Sequence, residues 1–424
     1  MAENNLHSNG NGNTKTLMGL SLPWAVVAVG ALLLLCTNIS GNTFGVFFKP
    51  ISGEFGWSRS TMSLTSAVRS VSSAGFGILM GYWADRYGPR RVLVPCFLLL
   101  AASMMATAKV HALWQYYLLQ GVGVGIGGAG PFIIIVSTVA RWHEKRKGLA
   151  LGIASAGVGL SSIIFPPLTT RLILGLEWRW ATFILGLIIL ITIPFSCVMK
   201  DPVLPGRRST GGGAAGRGPF DVWRLVPRLL KDRAFLAIIM MFLFFYIGVN
   251  MLLAHMVNYA TDIGISALTA ASMVSAMGIA STSGRLVMGT VSDRIGTRAD
   301  CAICCSLLAV SFLLMATNVI ALVWVAAVLF GVGFGGTAPL IPAIMGERIG
   351  AEHLGTATGL ATLGTSVGCA IGPWMGGFTF DVTGSYLVAL LLAATVSVVA
   401  LVIMVWLPSG KNEVWRKTQA LLDR

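Results

Sequence analysis

Two arginines set the chemistry open to this chain. Arg69 stands ten residues into an apolar run at 60–83, and Arg285 lies eight residues before Asp293 inside another at 266–291. A charged side chain at bilayer depth costs about 2.5–3.5 kcal/mol on insertion scales, so each arginine asks for a compensating anion. All sixteen acidic residues fall in loops, in tails or at the ends of apolar runs, and none is placed to supply it. The planar guanidinium fork suits a carboxylate, so the reading is that the counter-charge arrives with a cargo. Two blander uses stand beside it: Arg285 snorkelling to the surface, and Arg69 binding helix carbonyls as a structural gate. If both arginines face one cavity, a dianion or a larger oxygen-rich acid fits as well as a single carboxylate.

A polar shell can be placed around these cations by depth. Asn42, Asn250 and Ser281 are its candidates, with Tyr246 and Phe334 as apolar walls, although a hydroxyl inside a helix equally bonds the turn before it. His255, toward the other end of its run, is the candidate for moving a proton, because imidazole titrates in the working range. Its plain alternative is a packed hydrogen-bonding histidine.

The elements that must hold these residues are helices in a membrane. Of 424 residues 55% are apolar and 11% charged, and the mean hydropathy is +0.79, values that describe a polytopic membrane protein rather than a soluble one. Twelve spans are expected near 24–48, 60–83, 92–108, 113–139, 149–174, 180–199, 235–260, 266–291, 299–317, 319–344, 352–378 and 384–407, each close to the ~20 residues a bilayer needs. The formal charge of +14 is segregated by loop. Twenty-three Lys and Arg lie on the side of the N-terminus and five on the other, which places both termini in the cytoplasm and excludes nucleic acid as the reason for the charge. The seven cysteines lie in or beside the spans and behave as small apolar residues. Cys301, Cys304 and Cys305 lack a second ligand pair, so no metal is expected, nor any cofactor.

The chain is also a duplication. Gly81-Tyr-Trp-Ala-Asp85-Arg86-Tyr-Gly88-Pro-Arg90 returns 208 residues later as Gly289-Thr-Val-Ser-Asp293-Arg294-Ile-Gly296-Thr-Arg298. Gly81 and Gly289 are read as sites of close helix approach, and Asp85 and Asp293 as helix-end carboxylates. Gly123, Gly125 and Gly128 recur as Gly331, Gly333 and Gly336. The triplet resembles a dinucleotide fingerprint, but inside apolar runs it reads as helix packing. A third match joins Gly152, Ala154, Gly157 and Gly159 to Gly359, Ala361, Gly364 and their neighbours.

The doubled loop motif resembles the signature of the major facilitator superfamily. The basic cluster 141–147 with the small-residue helix after it, and Val46-Phe-Phe-Lys49, resemble the monocarboxylate transporters and their oxalate/formate antiporter relatives. That resemblance implies an all-α fold, two pseudo-symmetric six-helix bundles around a central cavity. It implies Arg285 as the residue that holds substrate carboxylate, and the Asp85 and Asp293 loops, with Arg86, Arg90 and Arg294, as a gate that keeps the cytoplasmic side shut. The chain departs from the family where animal carriers have a proton-linked lysine, here Asn42, and an aspartate, here Ser281. Coupling, where present, then falls to the cargo's own proton or to His255.

The expected organisation is a disordered tail over 1–20, a first bundle over 21–200, a cytoplasmic linker over 201–234, a second bundle over 235–408 and a tail over 409–424. The function expected is not an enzyme's. It is alternating-access transport of a small organic anion, a monocarboxylate, by a monomer in the cytoplasmic membrane, with protons as a second partner. Exchange of a larger or dicarboxylic acid, export of drugs by the same fold, and an anion channel are the rivals.

Overall fold

A computed structural model describes residues 16–17, 20–143, 146–200, 231–337, 340, 344–345 and 354–407. Span one is α1 (Leu22–Thr37) and α2 (Ile39–Phe55), span two α3 (Arg59–Tyr87) and span three α4 (Pro89–Thr107). Span four runs through α5 (Leu113–Tyr116), a π-helical turn at Tyr117–Gly123, α6 (Val124–Ala129) and α7 (Pro131–Trp142). Spans five and six form α8 (Lys147–Ser196), two helices joined at Glu177, whose φ of 66° breaks the helical path. The second half follows as α9 (Arg233–Asp262), α10 (Ala267–Ile295), α11 (Thr297–Ala316), α12 (Ile320–Thr337), α13 (Leu354–Thr383) and α14 (Leu387–Trp406), which are spans seven to twelve.

Eight helical stretches are long and apolar enough by themselves to cross a membrane, and one of these, Leu149–Ser196, holds two spans. The helices of spans two, eight and eleven fall short of that apolarity. Their Ser, Thr and Gly residues serve helix contact instead: Gly278 meets Ser162 and Gly377 the Arg59 backbone across the halves, while Gly364, Gly368 and Gly372 pack on span seven of their own half. The fold is thus an all-α membrane protein of twelve helices in two pseudo-symmetric bundles. One apolar core joins residues from Val26 to Met199 and the other residues from Phe235 to Leu407. Each core takes one buried residue from the other half, Ala254 in the first and Val46 in the second.

The duplication reaches the caps. Ser58 and Ser266, again 208 apart, each accept the third amide of the following helix, from Thr61 and Thr269, at 3.2 Å. Gly88 and Gly296 end spans two and eight at φ 88° with ψ 152° and 154°, a region of backbone open only to glycine. The repeated loop motif therefore specifies a turn first. Elsewhere glycine serves contact: a Cβ on Gly157 would lie 2.0 Å from the Ala31 carbonyl, and one on Gly335 2.0 Å from that of Ser281.

Some expectations are corrected. Gly81 and Gly128 have open space where a Cβ would sit, so neither is a site of close approach in this conformation. Residues 16–17 and 20–21, expected within a disordered tail, pair as a two-residue antiparallel ladder. The linker gives way to helix at Arg233, because Asp232 caps the amides of Ala234 and Phe235 at 2.8 and 3.1 Å. Most of the tails and linker, and the side chains of Asp85 and Asp293, lie outside the described residues.

Gly88→Ala and Gly296→Ala are each expected to cost about 1–3 kcal/mol of stability, the range for such backbone strain. Gly152→Ala, into open space, should stay within about 0.5 kcal/mol. Thermal unfolding of the three purified variants in detergent checks this.

Candidate functional site

A cavity of about 240 Å³ lies between the halves. Span one is built to reach it. Its helix stops at Thr37 and restarts at Ile39, and at the break Thr37 Oγ1 and Asn38 Nδ2 donate back to the carbonyls of Leu33 and Leu34 at 2.9 and 2.8 Å. Interrupted backbone inside a membrane is tolerated only where it lines a cavity or is buried in protein. Here it brings Asn38, Gly41 and Asn42 to the wall.

Six of the seven residues proposed for cargo contact line this one cavity: Arg285, Arg69, Asn42, Asn250, Ser281 and Phe334. Tyr246 does not line it. It stands behind Phe334, ring centroids 6.4 Å apart and nearly perpendicular, and so shapes the wall from the second rank. Asn250 donates its amide to the Tyr246 carbonyl at 3.1 Å. Among the described residues no Asp or Glu lines the cavity. Arg285 makes no hydrogen bond or ion pair among the described residues, and its Nε is buried without a partner, as are Asn42 Nδ2 and Ser66 Oγ. The Arg69 guanidinium lies 5.7 Å from the Phe44 ring, a cation–π contact that offsets part of its burial, and meets no carbonyl or carboxylate. Both arginines line the one cavity, Arg69 without a hydrogen bond to a helix carbonyl among the described residues.

Ser66, Ser70, Ser162, Cys369 and Pro373 also line the cavity and were not foreseen. Ser66 alone carried a signal, one helical turn before Arg69 on the same face. The cysteines of span nine are free and buried, and among the described residues no three metal-ligating side chains converge.

The cavity is closed on the face opposite the chain ends. Lys49 and Arg59 of the first half grip Asp262 of the second at 2.5 and 2.7 Å. The backbone amides of Arg59 and Ser60 donate to the two oxygens of Asp381 at 2.9 and 2.8 Å. Arg59 also donates to the Tyr386 hydroxyl at 2.6 Å and stacks on Phe380, 3.5 Å from the ring centroid. A further contact between the halves lies at mid-depth, Ser275 Oγ donating to the Ile163 carbonyl at 2.8 Å. The sequence reading had set the gate at the other face, in the Asp85 and Asp293 loops. It missed this seal, whose one sign was cations at the ends of spans one and two against acids at the ends of spans seven and eleven.

His255 belongs to the seal. It is buried, and its Nε2 lies 2.8 Å from the Pro373 carbonyl, which can only accept, so Nε2 carries the proton. Nδ1 then accepts from the Tyr386 hydroxyl at 2.9 Å, and Ser63 Oγ approaches Nε2 at 3.1 Å. Both ring nitrogens are thus engaged. Because Pro373 and Ala254 also line the cavity, the seal and the cavity share a wall.

This geometry, two six-helix halves around an inter-half cavity closed at one face, is matched by sequence. A profile described as Major Facilitator Superfamily aligns with residues 30–298 and 238–421. The chain belongs to that superfamily. It is 28% identical over 385 residues to Monocarboxylate transporter 4 of Mus musculus, covering 86% of this chain and 79% of that one. It is 26% identical over 385 residues to the Aspyridones efflux protein apdF of Emericella nidulans, covering 88% and 75%. The inward-open structure of the xylose transporter XylE from E. coli superposes with a TM-score of 0.74 at 13% identity, covering 94% and 99% of the two chains, which speaks to the fold. This superfamily member is a membrane transporter.

Asp262→Asn removes the carboxylate shared by Lys49 and Arg59, and should raise the rate at which a maleimide applied to the far face labels Ser63→Cys several-fold, measured with the native cysteines replaced. The pH dependence has the same sign. Asp381 lies beyond the eleventh apolar span; burial raises its pKa, but the hydrogen bonds from Ser60 and Arg59 outweigh that and hold it below the ordinary carboxylate value. A depressed carboxylate pKa makes the Asp381 contribution to the seal full at neutral pH and lost as pH falls below the ordinary carboxylate range, so labelling by this route should rise only there.

Proposed function

We propose that this transporter carries a small organic acid across the cytoplasmic membrane by alternating access, and that Arg285 holds its carboxylate. The observation that carries the reading is a guanidinium facing the inter-half cavity, its Nε buried without a partner, with no acid in the cavity wall. A buried charge left unpaired is costly, and a carboxylate on a bidentate fork removes that cost. Asn42 Nδ2 supplies a further donor to the same anion. Similarity to a monocarboxylate transporter supports the reading. Similarity to an efflux protein favours export as a second reading of direction, and the same cation would serve an exported acid.

The basic face is taken as cytoplasmic by the positive-inside rule, so this conformation is the inward-facing one. Cargo leaves toward the cytoplasm, the seal parts, and the halves rock until the Asp85 and Asp293 loops close the cytoplasmic side. His255 is placed to tie protons to this cycle. A second proton on its ring would turn Nδ1 into a donor and displace the hydroxyl hydrogen of Tyr386 that it now accepts. Protonation from outside and opening of the seal therefore favour one another.

In proteoliposomes, Arg285→Gln should reduce uptake of labelled small acids by at least about thirtyfold, the loss expected when one partner of a buried charge pair is removed. Arg285→Lys should recover part of it. Unchanged uptake by Arg285→Gln would end the reading. His255→Gln should transport at a rate that no longer follows an imposed proton gradient; a gradient response equal to the parent's would remove His255 from the coupling.

A further inference from the structure

Arg69 is unused by a single carboxylate on Arg285. It comes from span two of the first half, whereas Arg285 comes from span eight of the second, and the two line one cavity. They are not symmetry mates: Arg69 precedes the loop aspartate Asp85 by sixteen residues and Arg285 precedes Asp293 by eight. The difference of eight residues sets Arg69 on the order of 12 Å deeper along the helix axes, toward the far-face seal. The cavity thus holds two cations at different depths, one on each half, and no acid in its wall. Beside Arg69 the protein offers the Phe44 ring at 5.7 Å and, one turn away, the unpartnered Ser66 hydroxyl.

We propose that Arg69 and Ser66 form a second anion subsite, so that the cargo is a small dicarboxylate whose two ends lie on different halves of the carrier. This rests on the reading of Arg285 as the site for the first carboxylate. Staggered cations call for carboxylates separated by a carbon chain, not sharing one carbon. A cavity below the 300–1,000 Å³ of drug-sized sites keeps that chain short. A monocarboxylate would leave the deeper guanidinium unneutralised each time the cavity closed, whereas a dicarboxylate cancels both charges and draws the halves together. Cargo length and charge are then read by the same act that permits closure.

The test is thermal stabilisation of the purified full-length protein by a series of straight-chain diacids from succinate to pimelate, by each diacid's mono-methyl ester, and by monoacids of matched length. The half-ester keeps the length and loses one charge, so the parent protein alone decides the proposal. A diacid is expected to half-saturate at a concentration at least about tenfold lower than its half-ester, and Arg69→Gln should erase that ratio. Arg285→Gln should weaken both probes. Equal binding of diacid and half-ester by the parent overturns the dicarboxylate proposal, and if Arg285→Gln still abolishes that binding, the organic-acid reading stands without it. Failure of every acid to stabilise the parent takes down both.

Discussion

The structure depends on positive charge for which the described cavity wall supplies no carboxylate. Within the described cavity wall the halves bring together two guanidinium groups and no carboxylate. Desolvated charge is tolerated while a path to water remains and becomes costly once that path closes. The same electrostatics runs in reverse at the far face. There Lys49 and Arg59 belong to one half and Asp262 and Asp381 to the other, so the halves attract. Among the described residues charge is complementary at the seal and uncompensated at the centre, which is the contrast the proposed anionic cargo answers.

Much of the fold was legible in sequence, because hydropathy and a 208-residue repeat are local signals that survive without tertiary context. The repeat proved deeper than the motif that first revealed it: it fixes the serine caps Ser58 and Ser266 and the matched backbone of Gly88 and Gly296. Arg69 and Arg285 stood out because burying a charge in an apolar run is expensive enough to demand a reason. Asn42, Asn250, Ser281 and Phe334 fell on the cavity because helical depth follows from position along a span. Tyr246 did not, because a residue's depth leaves its direction around the helix open.

The seal was harder to read for a physical reason. Lys49, Arg59, Asp262 and Asp381 each sit at a span end, where charge is ordinary. Only the placement of span two beside span eleven, and span one beside span seven, turns them into one network. Which face is closed is likewise a property of the arrangement of halves, not of either half's sequence. His255 shows the same limit: its residue type marks it as titratable, but its bonds to Pro373 of span eleven and Tyr386, at the start of span twelve, decide which nitrogen bears the proton.

The surfaces on which the halves meet below the seal are made of small residues. Gly159 abuts Thr282 and Gly278 abuts Ser162, each so closely that an added methyl would collide. Long interlocking side chains would have to disengage and repack at every turnover. Smooth backbone surfaces let one half slide on the other like a bearing, with no rotamer to reset. The mechanical wear of the cycle is thereby moved off the interface and onto the few polar bonds at its rim, which is where the speed of the cycle can be tuned without disturbing the body of either half.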